Sequence, residues 1–378
     1  MSGMSKRMLV LVSNDLNHDQ RVLKTCRSLS NMGWSVYVLG RELADSKPLD
    51  IQFDGSRLRL PFYRGALFYA SLQVGLFRRL GRLKADAIWA NDLDTLLPAY
   101  LCSRLSKIPL IYDSHEFFTE AAGLTGRPVQ RGVWMILERF LFPKLESVIT
   151  VNDSIAQAYA KRYPHARGGM PLVVRNMPER HMELPEARDW RAQLGIPVES
   201  TFLILQGAFL DQDRGVKQAV EALRHREDWT LVVVGAGAEY EWALGQVKSL
   251  SGRLICLPKM PFHELKSLTS AADIGLSLDL GVHGNYWMSL PNKLFDYIHA
   301  GIPVVASSMP EVKRIVETWD IGCIAPDHSP ASIMQAVDEV VSKPISHWTK
   351  KCGEAARELH WEAEEKHIRL ALEKAGAF

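Results

Sequence analysis

The stretch "GNYWMSLPNKLFDYIHAGIPVVAS", residues 284–307, carries the signals of a loop, a helix, a turn and a buried strand, in that order. Pro291 suits a first helical turn, Gly301 ends the helix, and the apolar run "VVAS" predicts a short strand. Free backbone amides at a helix start attract anions, and Lys293 adds a positive charge there. The stretch therefore predicts a phosphate-binding helix that leads into a parallel sheet.

Length and composition predict a protein of two domains. The chain has 378 residues, of which 47% are hydrophobic and 23% charged, values typical of well-packed globular proteins. Its formal net charge of +2 provides no overall positive field, so we expect no nucleic-acid partner.

Cysteine usage and hydropathy predict a cytoplasmic location. The five cysteines lie singly, without a CxxC pair, as free cytosolic thiols do. The apolar run near the N-terminus is too short for a signal peptide, and no window reaches the roughly 18 apolar residues of a membrane-spanning helix.

Strand-like and helix-like segments alternate along both halves of the chain. The predicted strands are 8–13, 36–40, 87–91, 109–114 and 147–151, then 202–207, 231–235, 253–257, 273–278 and 303–307. The predicted helices include 19–32, 93–106, 130–146, 330–342 and about 347–374. A polar stretch at 176–200 separates the two series. This alternation predicts an α/β fold of two Rossmann-like, doubly wound domains that face each other across a cleft.

The second half carries the sharper chemical signal. Gly207 follows a strand, and Arg214 with Gly215 opens the next helix, so Arg214 and Lys293 are predicted to converge on one diphosphate. The alternative is that both are ordinary solvated cations. Gly235 belongs to a glycine-rich turn, but Tyr240 stands where a dinucleotide fingerprint needs glycine, so a tight strand-to-helix turn explains that motif equally well.

Several motifs, in this order, resemble those of bacterial glycosyltransferases of the GT-B fold, family 4-like. They are "NDLNHDQRVLKTCRSLSNMGWSVYVLG" (14–40), "ANDLDTLLPAYLCSRLSKIPLIYDSHEFFTE" (90–120), "GAFLDQDRGVKQAVEAL" (207–223), "VVVGAGAE" (232–239), "LTSAADIGLSL" (268–278), "SLPNKLFDYIHAGIPVVAS" (289–307) and "HWEAEEKHIRLAL" (360–372). The resemblance covers nearly the whole chain and includes the subgroup with a serine-x-proline-asparagine-lysine loop.

The resemblance implies a metal-independent enzyme without a cofactor. It would move a sugar, with retention, from a nucleotide-sugar donor to a saccharide or lipid-linked acceptor in the synthesis of surface polysaccharide or another glycan. It further implies an acceptor-binding domain at 1–178, a donor-binding domain at 198–345, and a last helix at 346–378 that crosses back to the first domain.

Donor-site roles follow from the same resemblance. Arg214 and Lys293 would hold the diphosphate, where one fixed charge can stabilise the departing group by roughly 2 to 4 kcal/mol. Asp296 would accept hydrogen bonds from the ribose hydroxyls, although it could instead face solvent. The remaining candidate donor-binding residues are Gly207, Gly235, Tyr286, Ser289 and Asn292.

One position departs from the commoner pattern of the family. Many members carry a sugar-contacting glutamate eight residues before the ribose-binding acid, and here that position is Met288. We therefore expect backbone groups of residues 284–289, helped by Tyr286, to contact the donor sugar.

In the first half, "YDSHE" follows a strand and places His115 and Glu116 at its end. The resemblance gives His115 a contact with the donor sugar, whereas a structural or helix-capping role is the alternative. Asn17, Asp19, Asp92 and Glu116 are candidate acceptor-binding residues, although Asp19 is at least as well suited to cap a helix.

Residues 64–84 combine aromatic and basic side chains that suit an anionic membrane surface, or alternatively form an ordinary amphipathic helix packed on the first sheet. Residues 133–145 are expected to form a buried crossover helix.

Two other classes of function stay open. A nucleotide-sugar epimerase on the same scaffold would act without an acceptor, whereas a phosphorylase would need a longer chain and a cofactor-binding lysine. An inactive scaffold protein would ignore nucleoside diphosphates, and the absence of the usual glutamate makes this alternative conceivable.

Overall fold

The structure of the protein is a computed structural model, which describes residues 5–17, 19–44, 46–180, 188–282 and 284–378. Its strands are β1 (Arg7–Leu11), β2 (Ser35–Arg41), β3 (Asp54–Leu58), β4 (Ala87–Asn91), β5 (Leu110–Ser114), β6 (Ser147–Thr150), β7 (Leu172–Val173), β8 (Thr201–Gly207), β9 (Trp229–Gly235), β10 (Leu254–Pro258), β11 (Ile274–Ser277), β12 (Val304–Ser307) and β13 (Gly322–Ala325).

The helices connect successive strands and complete the C-terminus. They are α1 (Gln20–Asn31), α2 (Gly65–Leu80), α3 (Leu93–Ser106), α4 (Pro128–Leu141), α5 (Asp153–Arg162), α6 (Trp190–Leu194), α7 (Val216–Arg224), α8 (Ala238–Gln246), α9 (Phe262–Ser270), α10 (Gly284–Trp287), α11 (Asn292–Ala300), α12 (Pro310–Trp319), α13 (Pro330–Val341), α14 (Ile345–Glu358) and α15 (Trp361–Lys374).

The chain divides into two compact units. The first comprises Met1–Asn176 and Glu364–Phe378, and the second comprises Met177–Ala363. The division differs from the predicted boundaries, because α14 belongs to the second unit and only the chain from Glu364 returns to the first. The single helix expected at about 347–374 is interrupted between α14 and α15, where the backbone N–H of Trp361 donates to the carbonyl of Pro178.

Each unit contains one parallel sheet. The strand order is β3-β2-β1-β4-β5-β6-β7 in the first unit and β10-β9-β8-β11-β12-β13 in the second. All ten predicted strands are present, and β3, β7 and β13 are additional strands at or near the sheet edges. In both sheets the order reverses at one point, between β1 and β4 and between β8 and β11, where ligands bind in doubly wound folds.

Both faces of the second sheet are buried. Phe202 and Ile204 of β8 belong to one hydrophobic core, whereas Leu203 and Leu205 belong to the other. Because successive side chains of a strand point to opposite faces, this alternation requires helices on both sides of the sheet.

Helices α2 and α4 differ in how they match the prediction. The apolar stripe of α2 is buried at Phe68, Leu72, Leu76 and Leu80, as expected of a helix that packs on neighbouring elements. The prediction that residues 133–145 form a buried helix is wrong. Helix α4 buries Trp134, Glu138 and Leu141, but its other face exposes an apolar stripe formed by Val129, Val133, Ile136 and Phe140.

The pairing of β13 with β12 makes a stability prediction. A Cβ atom added at Gly322 would lie 1.9 Å from the carbonyl oxygen of Val304, so we expect Gly322→Ala to lower the free energy of unfolding by about 1 to 3 kcal/mol. The matched control is Gly353→Ala in α14, whose added Cβ meets nothing within 4 Å and should stabilise the helix by up to about 1 kcal/mol. Chemical denaturation measures both, and equal stabilities would contradict the pairing.

Candidate functional site

A buried carboxylate joins the two predicted phosphate-binding cations of the second unit. Asp279 follows β11 and is 1% exposed, and its Oδ1 accepts a hydrogen bond from Nη1 of Arg214 at 3.0 Å. Its Oδ2 lies 2.9 Å from Nζ of Lys293. Burial opposes ionisation of Asp279, but Lys293 and Arg214 outweigh it and lower the pKa of the carboxyl group. Arg214 and Lys293 therefore meet at one carboxylate, which sequence reasoning missed, and their convergence on a diphosphate stays a prediction.

The ammonium group of Lys293 retains unused hydrogen-bonding capacity. The side chain is only 8% exposed, and its contact with Asp279 is close in distance but has no acceptable hydrogen-bond angle. Lys293 belongs to the first turn of α11, whose N-cap residue Pro291 provides no side-chain cap. In the same approach to the helix, the buried hydroxyl of Ser289 also has no partner among the described residues. A buried ammonium group and a buried hydroxyl beside a helix start suit an anion.

Arg214 lies two residues before α7. The first amide of α7 is occupied, because the carboxylate of Glu239 accepts from the N–H group of Val216 at 3.2 Å, and the same carboxylate accepts from Asp213 in the preceding loop at 3.3 Å. A contribution of this helix start to phosphate binding stays a prediction. The guanidinium of Arg214 stacks 4.6 Å from the ring centroid of Tyr286.

The structure explains two candidate donor-binding glycines by close packing. Gly207 and Gly235 pair across β8 and β9, and a Cβ added at Gly235, where φ is 153°, would lie 2.0 Å from the carbonyl oxygen of Gly207. A Cβ at Gly207 would press on Leu210 at 2.7 Å. Both glycines allow the two strand ends to pack closely, and a role of either one in donor binding stays a prediction.

Asp296 points towards the end of β8 and not into solvent. Its Oδ2 accepts a hydrogen bond of 3.1 Å from Nε2 of Gln206, whose Oε1 in turn accepts from the hydroxyl of Thr269 at 2.6 Å. A small pocket opens beside this group and is also lined by Phe262 and Lys266. The arrangement holds the carboxylate at the carboxyl edge of the sheet, where a ribose could meet it. Gln206 is a polar residue at a strand end that sequence reasoning missed.

The other residues of the loop lie near the start of α11. Asn292 is its first residue and is exposed, Met288 is half-buried, and Tyr286 lies on the short helix α10. Because one face of the Tyr286 ring is covered by Arg214, this tyrosine orients a cation in addition to any contact with sugar.

In the first unit, His115 lies between carboxylates at the carboxyl ends of β4 and β5. Its Nδ1 is 3.3 Å from Oδ2 of Asp92, and its Nε2 is 3.0 Å from Oδ1 of Asn91 and 3.7 Å from Oδ2 of Asp113. Asp113 is buried and receives two hydrogen bonds from Arg21, at 2.8 and 3.3 Å. The structure thus brings His115 and Asp92, two separate candidates of the sequence analysis, into one group with Asp113, Arg21 and Asn91.

These carboxylates fix the charge of His115. Burial alone would lower its pKa, but Asp92 and Asp113 raise the pKa to about 9. At neutral pH the ring is therefore an imidazolium with a proton on both nitrogens and no lone pair. Both N–H groups face acceptors of the protein, Nδ1 towards Asp92 and Nε2 towards Asn91, and the ring cannot act as a general base in this state.

Asn17 and Asp19 have structural roles. The Asn17 amide donates to the carbonyl of Pro48 at 2.9 Å and accepts from the N–H of Asp50 at 3.0 Å. Asp19 caps α1 by accepting from the N–H of Val22 at 3.2 Å. Glu116 is half-buried in the loop after β5, where its backbone carbonyl accepts from the hydroxyl of Ser114.

The described residues form neither a metal-binding cluster nor a disulfide bond. No three His, Cys, Asp or Glu residues among them are grouped so as to hold a metal ion. All five cysteines are free thiols, as predicted: Cys26, Cys102, Cys256, Cys323 and Cys352.

Solved structures share the fold over the full length of the chain. A sucrose-phosphate synthase from Thermosynechococcus elongatus is 17% identical with a TM-score of 0.80, and covers 98% of this chain and 99% of its own. HepE from Anabaena, in complex with UDP and glucose, is 14% identical with a TM-score of 0.73, over 97% of this chain and 99% of its own. WaaG, a glycosyltransferase involved in lipopolysaccharide biosynthesis, is 15% identical with a TM-score of 0.71, over 98% of this chain and 100% of its own.

Sequence comparison identifies the family. No curated protein matches the sequence significantly. The family model described as Glycosyltransferase Family 4 matches residues 19–170, and the model described as Glycosyl transferases group 1 matches residues 186–359. The first model matches most of the N-terminal half of the chain and the second matches most of the C-terminal half. The chain belongs to the family 4-like glycosyltransferases of the GT-B fold.

Proposed function

We propose that the enzyme transfers a sugar from a nucleoside diphosphate sugar to a saccharide acceptor, with retention of configuration and without a metal ion. The observation that carries the proposal is the pair of cations, Arg214 and Lys293, that Asp279 holds beside the uncapped start of α11. The summed charge of the two cations and Asp279 is +1, which suits an anion. HepE, which shares the fold, has been solved with UDP and glucose and with UDP-glucose, and this supports a nucleotide-sugar donor.

The charges suggest how the reaction proceeds. The bond between the anomeric carbon and the diphosphate oxygen breaks, and the acceptor oxygen bonds to the same face of that carbon. The acceptor proton passes to the departing diphosphate, so no separate base is needed. Arg214, Lys293 and the amides of α11 stabilise the negative charge that develops on the leaving group. His115, an imidazolium, is proposed to contact a sugar oxygen that takes the place of Asn91 as the acceptor for Nε2.

The acceptor is proposed to be lipid-linked, and the enzyme to act in the synthesis of a surface glycan. WaaG, which shares the fold, takes part in lipopolysaccharide biosynthesis. The described helices include none long and apolar enough to cross a bilayer. Contact with a membrane would therefore occur at a surface.

The exposed stripe of α4 is the surface that best suits an anionic membrane. Its apolar side chains, Val129, Val133, Ile136 and Phe140, are between 58% and 75% exposed. Nζ of Lys144 lies 3.1 Å from the ring centroid of Phe140. The adjoining pocket, of about 580 Å³, is lined by basic residues that include Arg104 and Lys107. An apolar stripe beside clustered positive charges is typical of helices that lie on anionic lipid.

The diphosphate assignment predicts the effect of removing one cation. We expect Lys293→Ala and Arg214→Ala each to lower turnover more than tenfold, because each removes a charge that stabilises the leaving group. Calorimetry should show at least tenfold weaker binding of nucleoside diphosphates, with little change for the corresponding nucleosides.

The matched control is Lys313→Ala, which removes a lysine of α12 that is 47% exposed. Activity should also survive a chelator. A wild-type protein that binds no nucleoside diphosphate would favour the inactive scaffold, and epimer formation from donor alone would favour the epimerase.

The ribose assignment predicts a loss of sugar discrimination in Asp296→Asn. This variant should weaken binding of a ribonucleoside diphosphate by about tenfold, since an amide accepts the ribose hydroxyl hydrogen bonds less well than a carboxylate does. Binding of the 2′,3′-dideoxy analogue should not change. An equal loss for both nucleotides would assign Asp296 a structural role through Gln206.

The membrane assignment predicts that α4, and not α2, governs binding to vesicles. Ile136→Glu should abolish flotation with vesicles of phosphatidylcholine and phosphatidylglycerol, because it places a negative charge where the helix would meet anionic lipid. The control is Leu67→Glu on α2, at a side chain that is 60% exposed. Unchanged flotation of Ile136→Glu would contradict the assignment. A wild-type protein that forms a dimer and does not bind vesicles would also contradict it, if Ile136→Glu dissociates that dimer.

A further inference from the structure

Among the buried polar atoms of the first unit that have no hydrogen-bond partner in the described part of the chain, three belong to side chains that lie close together. They are Nε of Arg41, Oε1 of Gln73 and Oδ1 of Asp94. Buried polar groups in folded proteins are nearly always hydrogen-bonded, because an unpaired group loses its solvation without compensation. A cluster of such atoms at a sheet edge therefore indicates a ligand or ordered water that completes the bonds.

The three residues belong to one patch. Nε2 of Gln73 donates a hydrogen bond of 2.6 Å to the backbone carbonyl of Asp94, which ties α2 to the first turn of α3. The guanidinium of Arg41 lies 4.4 Å from the ring centroid of Phe68, on the same helix as Gln73. The charges of Arg41 and Asp94 act on each other, yet no ion pair joins them in the described part of the chain.

The patch lies where a doubly wound sheet binds its ligands. Arg41 is the last residue of β2, and Asp94 follows β4 by three residues. Strands β2 and β4 are the two neighbours of β1, and the strand order reverses between β1 and β4. The carboxyl ends of these strands form the edge at which the crevice of such a sheet opens.

Aromatic rings continue from the polar groups. The ring centroid of Tyr69 lies 4.8 Å from that of Phe68 and 4.9 Å from that of Trp134, which it meets edge to face. Tyr69 and Gln73 are four residues apart on α2 and therefore share one face of the helix. A site with a few fixed polar groups beside aromatic surface suits a sugar, which has apolar C–H faces and polar edges.

The donors and acceptors match a pair of sugar hydroxyls. The guanidinium of Arg41 donates, the amide oxygen of Gln73 accepts, and the carboxyl group of Asp94 accepts or, when protonated, donates. Burial, followed by the nearby Asp92, raises the pKa of Asp94 to about 7, so both forms are present at neutral pH. The opposite charges of Arg41 and Asp94 favour a neutral sugar over a phosphate.

We propose that Arg41, Gln73 and Asp94 form a subsite for the hydroxyl groups of a neutral acceptor sugar, with Tyr69 as its apolar wall. The inference rests on the proposed function. It assigns acceptor binding to these residues in place of Asn17 and Asp19, whose side chains make local structural hydrogen bonds. Arg41, Gln73 and Asp94 are specificity residues in this account, and the site lies wholly within the first unit.

Saccharide binding to the full chain tests the subsite directly. Saturation-transfer NMR is recorded with methyl hexopyranosides of the gluco, galacto and manno series as probes. The wild type should bind at least one, and Asp94→Asn and Gln73→Leu should each weaken it by about tenfold, the effect expected for loss of one or two buried hydrogen bonds. The control is Gln218→Leu in α7, since Oε1 of Gln218 is also buried without a partner, but in the second unit.

Two further measurements separate the possible outcomes. Thermal melting of each variant tests folding, and Asp94→Asn keeps the shape of the side chain if Gln73→Leu does not fold. Calorimetry with nucleoside diphosphates tests the proposed function independently, and it should be unchanged in both variants. Wild-type binding of none of the probes, or equal binding by wild type and both variants, would overturn the subsite and assign the three atoms to ordered water.

Discussion

The ion triad of Asp279, Arg214 and Lys293 is the interaction on which the donor half of the protein depends. A carboxylate that is 1% exposed could not stay ionised alone, because burial costs several kcal/mol. Two cations within 3.0 Å recover that cost, and the carboxylate in turn holds both cations at one point of the sheet edge. The triad has one positive charge more than it needs for neutrality. It is therefore a structural element whose excess charge supports the proposed binding of a diphosphate.

The first unit also contains a buried carboxylate between two cations, but the total charge of the group differs. Asp113 lies at the end of β5 and is flanked by Arg21 and His115, much as Asp279 is flanked by Arg214 and Lys293. The difference is Asp92, whose carboxylate lies against His115 and offsets the remaining positive charge. The positive φ of 61° at Asp92 is unusual for a residue other than glycine. Two hydrogen bonds at the end of β5 maintain it: the N–H of Asp92 donates to the carbonyl of Asp113, and Oδ1 of Asp92 accepts from the N–H of His115. A charged cluster that is close to neutral suits sugar hydroxyls, whereas the triad of the second unit suits phosphate.

The sequence predicted the central strands and the pair of cations because both leave strong local signals. Apolar runs mark strands that are buried on both faces, but the edge strand β3 reads "DGSRL" and β7 has only two residues, so neither has such a run. Asp279 could have been found as a charged residue directly after a buried strand. Glu239 could not, because its role depends on a loop of another segment that meets it only in the fold. The sequence of α4 is apolar on two faces, and only packing decides which one is covered.

The absence of the usual glutamate at Met288 follows the same electrostatic logic. A second carboxylate near Lys293 would compete with phosphate for the ammonium group and reduce the excess positive charge of the triad. With methionine there, the ammonium group of Lys293 and the hydroxyl of Ser289 stay available to an anion. Tyr286 contributes by covering one face of the Arg214 guanidinium, which leaves its in-plane N–H groups as donors. The proposed recognition of the donor therefore rests on fixed hydrogen-bond donors and on the charge of one buried triad, while Asp296 on α11 is held by Gln206.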